Sequence, residues 1–131
     1  MVHTPTVTVT DLAQQARRLS RPWTPGIVAE LNGQHVKLAL FRGEFDWHHH
    51  AAQDELFLVV EGVVHIDLRE DSGSRRITLS KGQLATIPRG VEHRPWAESD
   101  AYVLLFEPAG TINTGNVRTE RTVDRPEHLE P

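Results

Sequence analysis

Cysteine is absent from the chain. That excludes a disulfide framework, a zinc–thiolate centre and a thiol nucleophile. No stretch is long and apolar enough to span a bilayer, and the opening MVHTPTVTVT has neither the basic start nor the apolar run of a secretory signal. No membrane partner and a cytoplasmic location are the expectations. A large excess of one charge is missing too: 14 Lys and Arg against 18 Asp and Glu leave a net charge of -4. That balance gives no reason to expect nucleic acid or an anionic membrane as partner. Lysine is scarce, with only Lys37 and Lys81 among cations that are otherwise arginine and scattered along the chain.

What is present predicts one domain. A length of 131 residues is enough to bury a single substantial core. Residues 1–24 read as an N-terminal helical segment, 25–108 as a β-barrel and 109–131 as an extended C-terminal tail. A short helix is expected from about Asp11 to Leu19, capped by Asp11, with Gln14 at the capping-box position and Leu12, Ala16 and Leu19 as its apolar stripe. Arg21-Pro22-Trp23-Thr24-Pro25-Gly26 ends it. Ile27 to Leu31 and Gln34 to Phe41 flank Asn32-Gly33, a pair that takes positive φ at low cost and so predicts a type I′ hairpin. Glu55 to Val60 and Val63 to Arg69 are expected to pair across Glu61-Gly62. Arg76 to Leu79, Leu84 to Pro88 and Tyr102 to Phe106 continue the series. About eight short strands at close spacing predict a β-sandwich or barrel. The last ten or so residues are expected to be mobile or laid across a partner subunit.

The chemistry concentrates in two places. His48-His49-His50 is followed by Glu55, and His93 comes after Gly82, Pro88 and Gly90. Strand residues two apart share a face, so His48 and His50 point together and His49 points away. Glu55 lies an odd five residues from His50; a bend at Ala51-Ala52-Gln53-Asp54 brings its carboxylate round. Pro88 and Gly90 set up the turn that presents His93. Three imidazoles and one carboxylate suit one divalent transition metal from among Mn, Fe, Co, Ni, Cu and Zn. On a six-coordinate ion, four protein ligands leave two positions open. A closed structural zinc site is disfavoured, because such sites use cysteine heavily.

Among the remaining residues, Asp46 or Asp54 could orient an imidazole. Arg42, Arg94 and Glu92 are surface charges or, less expectedly, line a cavity mouth. Trp47, Trp96, Phe57 and Tyr102 fit core or pocket wall, and His65 fits a solvated strand face beside Asp67 and Arg69. His3, His35 and His128 have no supporting pattern.

Both segments resemble the two signature motifs of the cupin family. The first runs Gly43-E-F-D-W-His48-H-His50-A-A-Q-D-Glu55-L-F-L-V-V-E-Gly62, and the second Gly82-Q-L-A-T-I-Pro88-R-Gly90-V-E-His93-R-P-W. The resemblance covers roughly Ile27 to Pro108. It implies an all-β, double-stranded β-helix (jelly-roll) barrel with the metal inside, held by His48, His50, Glu55 and His93. It also implies a homodimer, since single-barrel cupins commonly pair. Two positions depart from the pattern: the gap from Gly43 to His48 is one residue short, and Ala97 stands where the second motif often has Asn.

Three functions fit these expectations. The first is a metal-dependent oxidoreductase, dioxygenase or lyase acting on a small oxygenated molecule at the open positions. The second is a sugar or sugar-phosphate isomerase, which would need a cluster of Arg and Lys at the cavity mouth. The third is a non-catalytic module that binds a metal or small ligand, with a filled cavity or closed coordination sphere. Fold alone does not choose among them.

Overall fold

The computed structural model describes residues 6–131, so His3 lies outside the described residues. One helix, α1 (Leu12–Arg18), precedes seven strands: β1 (Gly26–Leu31), β2 (Gln34–Glu44), β3 (Glu55–Glu61), β4 (Val63–Glu70), β5 (Gly73–Ser80), β6 (Leu84–Ile87) and β7 (Glu92–Pro108). Asp11 caps α1, its side chain accepting from the Gln14 N–H at 3.1 Å, and Arg17 and Arg18 complement the helix dipole in the last turn. The expected apolar stripe is only partly right. Gln15 and Ala16 are the buried residues, while Leu12 and Leu19 are half-buried. Gln15 can be buried because its side-chain amide donates to the Glu130 carbonyl, which the C-terminal tail brings alongside.

β1 and β2 form the expected hairpin, with φ of 50° at Asn32 and 75° at Gly33 as a type I′ turn requires. β2 then runs for 11 residues. Its inward side carries Ala39 and Phe41, and α1 packs on the strand. β7 is a single strand of 17 residues, reaching well before the expected Tyr102 to Phe106. Its inward residues alternate from His93 to Ala97, lapse over the exposed Glu98, Ser99 and Asp100, and resume from Ala101 to Glu107. That lapse is a bend between two sheets. The first half of β7 pairs antiparallel with β4, from Glu92 against Arg69 to Trp96 against His65. The second half lies between β2 and β3, with Phe106 opposite both Val36 and Leu56. β2 follows β7 round the bend, its Gly43 and Glu44 pairing with Ala97 and Trp96. One sheet therefore reads β1-β2-β7-β3-β6 and the other β5-β4-β7, and the shared β7, with the end of β2 beside it, rolls them into an antiparallel jelly-roll barrel.

β3 and β4 do not pair across Glu61-Gly62. Both edges of β3 are already taken, by β6 and β7, and β4 pairs with β5 and β7 instead. Gly62 carries the chain from one sheet to the other at φ 93°, hard against the bend of β7. Inside, side chains such as Phe41, Phe57, Val103, Ile66 and Leu68 meet from the two sheets. Each buried residue of this kind contributes about 1.5–3 kcal/mol relative to exposure.

The C-terminal tail lies against its own barrel. The Ile27 N–H donates to the Glu127 carbonyl at 2.7 Å, and the Leu129 N–H donates to the Ile27 carbonyl at 2.8 Å. Further back, Asn116 exchanges hydrogen bonds with the backbone of His49. The tail thus supplies polar partners to a barrel edge and to the histidine segment.

The crossing at Gly62 yields a prediction. A Cβ there would stand 2.9 Å from the Ala101 Cβ and 3.0 Å from the Ala101 Cα. Gly82 has a similar φ of 83° but nothing within 4 Å of its would-be Cβ. Gly82→Ala should cost about 1 kcal/mol through backbone strain, and Gly62→Ala about 3 kcal/mol or more through strain plus overpacking. Urea denaturation of the two variants measures the difference; equal losses would show that the close approach is unimportant.

Candidate metal centre

His48 lies outside the named strands, yet it forms an isolated antiparallel bridge with His93. The His48 N–H donates to the His93 carbonyl at 3.0 Å and the His93 N–H to the His48 carbonyl at 2.8 Å. This bridge sets the two imidazoles side by side, their ring centroids 4.3 Å apart. A third stitch joins the motifs: the Gly90 N–H donates to the His50 carbonyl at 2.8 Å, with Gly90 at φ 82°. Residues 51 and 52 form the expected bend, and Glu55 enters as the first residue of β3. His48, His50, Glu55 and His93 are all buried, and one potential ligand atom from each lies within 4.8 Å of the others. The Glu55 Oε1 is 3.4 Å from the His50 Nε2 and 3.5 Å from the His93 Nε2. Neighbouring ligands on one ion with bonds of ~2.1 Å stand about 3 Å apart, so the group fits a single metal after small adjustments.

The hydrogen bonds at the far side of two rings set their tautomer. The His48 Nδ1 lies 2.9 Å from the Asp46 carbonyl and the His93 Nδ1 2.9 Å from the Val91 carbonyl. A carbonyl only accepts, so in a neutral ring Nδ1 holds the proton and Nε2 offers its lone pair inward. His50 Nε2 and His93 Nε2 are buried without a hydrogen-bond partner. Leaving such atoms unsatisfied is costly, and a cation between them is the natural complement. Burial pushes the His48 imidazole down to about 4, helped by the nearby His93. It is therefore a neutral donor at pH 7. Burial pushes the Glu55 carboxyl up, but its neighbours Glu107, His50 and His93 outweigh it and hold it well below the usual range. The set thus joins the neutral His48 imidazole, two further inward-facing histidine nitrogens and an ionised carboxylate, the kinds of donor a divalent transition metal takes.

A cavity reaches this group through His48 and Glu55. Its open space is about 30 Å³, room for about two waters. Its wall is aromatic. Trp23 stacks on Phe45 at 4.7 Å and lies 4.4 Å from Phe41, with Phe57 beyond. Trp23 sits at φ 60°, unusual for a bulky residue, and is held by its N–H to the Leu40 carbonyl and its indole N–H to the Arg42 carbonyl, each at 2.9 Å.

Two charged residues at the site escaped the sequence-based expectations. Glu107 lines the cavity, and Lys37 donates to its Oε1 at 2.8 Å, both side chains being buried. Alternation from Ala39 and Phe41 places Lys37 inward, and alternation from Val103 and Leu105 does the same for Glu107. A Lys and a Glu at inward positions of two strands were the available signal.

Other expectations sort out plainly. His49 faces away from the four-residue group and is half-buried. Asp46 orients His48 through its backbone, while its carboxylate accepts from Thr119 and Arg121. Asp54 accepts from Arg89 and touches no imidazole. Arg42 pairs with Asp100, Arg94 with Asp67 and Glu44, and Glu92 with Arg69, so none lines the mouth. Trp47 and Trp96 do not line the cavity at the metal group. Arg69 lies over Trp47 at 3.8 Å and Arg76 over Trp96 at 4.7 Å. His65 is half-buried against Trp96 at 4.3 Å and hydrogen-bonds Thr78, and Asp67 beside it is buried. The polar face of β4 is thus covered by its own stacking. His35 and His128 both meet Glu30.

The depressed His48 carries a pH prediction for the metal-free protein. Unfolded, the imidazole takes a proton near pH 6.5; folded, it refuses one until about pH 4. The unfolded state binds more protons in that window, so stability falls as pH drops from about 6.5 to about 4, by on the order of 3 kcal/mol. Denaturation of chelator-treated protein at pH 7, 5.5 and 4.5 should show the decline, and His48→Gln should flatten it. An equal slope in the variant would contradict this origin.

Comparison with known proteins agrees with the geometry. A Cupin domain family model matches residues 35–107. The uncharacterized protein YdbB of Bacillus subtilis (strain 168) is 42% identical over 67 residues, 51% of this chain and 57% of that protein. A cupin-2 domain containing protein from Shewanella frigidimarina NCIMB 400 has 37% identity and a TM-score of 0.71 over 76% of this chain and 94% of that one. Hydroquinone 1,2-dioxygenase from Sphingomonas sp. TTNP3, with 4-hydroxybenzoate bound, is 20% identical at a TM-score of 0.65, over 83% of this chain and 84% of that one. That last likeness is one of fold. With the barrel built from both motifs and more than half of its length matched by the family model, the chain belongs to the cupin domain family.

Proposed function

We propose that this cupin binds one divalent transition metal through His48, His50, Glu55 and His93 and acts as an oxidoreductase of the dioxygenase type on a small oxygenated molecule. One observation carries the metal part: three imidazoles and a carboxylate converge in a buried space where the Nε2 atoms of His50 and His93 have no other partner. Such a metal supplies Lewis acidity and, where redox-active, one-electron chemistry at the positions the protein leaves open. The residues of the chain do the rest. The Asp46 and Val91 carbonyls hold two rings with Nε2 inward. Trp23, Phe41, Phe45 and Phe57 shape an apolar chamber that excludes bulk water and favours a flat or compact molecule.

The cavity supports this over the two alternatives. A sugar-phosphate isomerase needs cations at the mouth, and no Arg or Lys lines the cavity, Lys37 being engaged by Glu107 behind the wall. A closed structural site would leave no approach, yet the cavity touches both His48 and Glu55. The small open space requires an entering molecule larger than about two waters to displace a side chain of the wall. The fold shared with a hydroquinone dioxygenase is compatible with this chemistry. A homodimer working in the cytoplasm completes the proposal, and the exposed Leu84 on β6 supports an edge-to-edge partner.

Elemental analysis of protein purified without chelators tests the proposal. About one transition metal per chain is expected, falling to a small fraction in His50→Ala and His93→Ala but nearly unchanged in His49→Ala. Light scattering of the same sample should give about twice 14.8 kDa. Metal-free wild-type protein that stays metal-free when offered each candidate ion would overturn the metal reading, and a monomer would overturn the dimer.

A further inference from the structure

The aromatic chamber has open space for only about two waters, so part of its wall must give way before a substrate enters. Phe41 and Phe57 are fixed within β2 and β3, and Phe45 follows β2 directly, its N–H on the Pro95 carbonyl at 3.0 Å. Trp23 is held differently. It lies in the irregular chain between α1 and β1, with Pro22 before it and Pro25 two residues on. Among the described residues, the hydrogen bonds that tie residues 20–24 to the barrel are both its own: backbone N–H to the Leu40 carbonyl and indole N–H to the Arg42 carbonyl. Its φ of 60° is strained for a bulky residue, and leaving that conformation offsets part of the cost of unstacking the ring.

The same residue is the partition between two spaces. Trp23 and Pro25 line the chamber on one side and, on the other, a groove of about 750 Å³ between this segment and residues 120–129 of the tail. Phe41, Phe45 and Phe57 do not reach that groove. The half-buried Leu19, Val123 and Leu129 line it and offer an apolar place for a displaced indole.

The place that the indole occupies suits a flat ring. The indole is tilted by only 33° to Phe41 and 30° to Phe45, with centroids 4.4 and 4.7 Å away. Each of those rings leads on to the histidines. Phe45 meets His48 edge-on at 5.4 Å; Phe41 meets Phe57 at 6.3 Å, and Phe57 meets His93 at 6.0 Å. A planar molecule in that place stacks as the indole does, whereas a saturated ring of the same size does not.

We propose that Trp23 is a displaceable plug that swings into the tail groove, and that the slot it leaves takes a planar aromatic substrate of about indole size. This narrows the small oxygenated molecule of the proposed function to an aromatic one, and it rests on that reading.

Fluorine NMR of metal-free protein labelled with 5-fluorotryptophan tests the plug. The chain has 3 tryptophans, and Trp23→Phe, Trp47→Phe and Trp96→Phe assign their resonances. The probes are 2-naphthol, which is planar, and decahydro-2-naphthol, the same skeleton saturated. With 2-naphthol the Trp23 resonance should acquire the H₂O/D₂O isotope shift of an exposed indole, while those of Trp47 and Trp96 keep theirs. Decahydro-2-naphthol should leave all of them unchanged. Trp23→Ala has its slot already open. It should bind 2-naphthol at least about tenfold tighter than wild type, because an open state populated at about 10% or less weakens apparent affinity by that factor. A Trp23 resonance that stays buried up to the solubility limit of 2-naphthol overturns the proposal. So does an equal response to the two alcohols, or a folded Ala variant that binds no tighter than wild type. If the Ala variant fails to fold, the wild-type titration decides alone. No metal is used, so failure here is distinct from failure of the metal reading, which shows only in elemental analysis.

Discussion

The backbones of His48 and His93 exchange two hydrogen bonds, 3.0 and 2.8 Å long, and the interior of the barrel is organised around that exchange. His93 opens the inward series of β7, the strand that bends from one sheet into the other, whereas His48 sits in irregular chain after β2. Joining them ties that segment to β7 and sets two imidazoles side by side in the interior. The second stitch, from Gly90 to the His50 carbonyl, brings the third ring to the same place. Backbone pairing, insensitive to side-chain identity, thus carries the geometry, and the side chains are free to be chosen for chemistry.

That choice works against ordinary burial. Three histidines, two glutamates and a lysine are enclosed where apolar side chains would pack at less cost. The structure offsets part of this internally: carbonyls take up two Nδ1 positions, and Lys37 meets Glu107. The Nε2 atoms of His50 and His93 are left over, and they face Glu55. Two imidazole nitrogens buried without a partner beside an ionised carboxylate are the natural place for a cation. The aromatic wall beside it then determines what else can enter.

Much of this was legible in local pattern. Asn32-Gly33 marked its hairpin, and strand alternation separated His49 from His48 and His50 even though that segment is not regular strand. Pairing over distance was less legible. Glu61-Gly62 has the look of a hairpin turn, but β3 has no free edge for β4, and a local pattern does not record which edges are occupied. The early start of β7, beyond the expected Tyr102 to Phe106, had a related cause, since the exposed Glu98, Ser99 and Asp100 interrupt its apolar pattern although pairing continues round the bend. Lys37 and Glu107 carried a legible signal in their inward parity. Their meaning needed the register of three strands, because neither residue says alone that the other, or Glu55, lies beside it.

Anomalous diffraction from crystals grown with Co²⁺ tests the central claim most directly. The account predicts one strong peak per chain, enclosed by the Nε2 atoms of His48, His50 and His93 and by a Glu55 oxygen, each within about 2.3 Å. A peak elsewhere on the protein, or none at these four residues with Co²⁺ in excess, would contradict it.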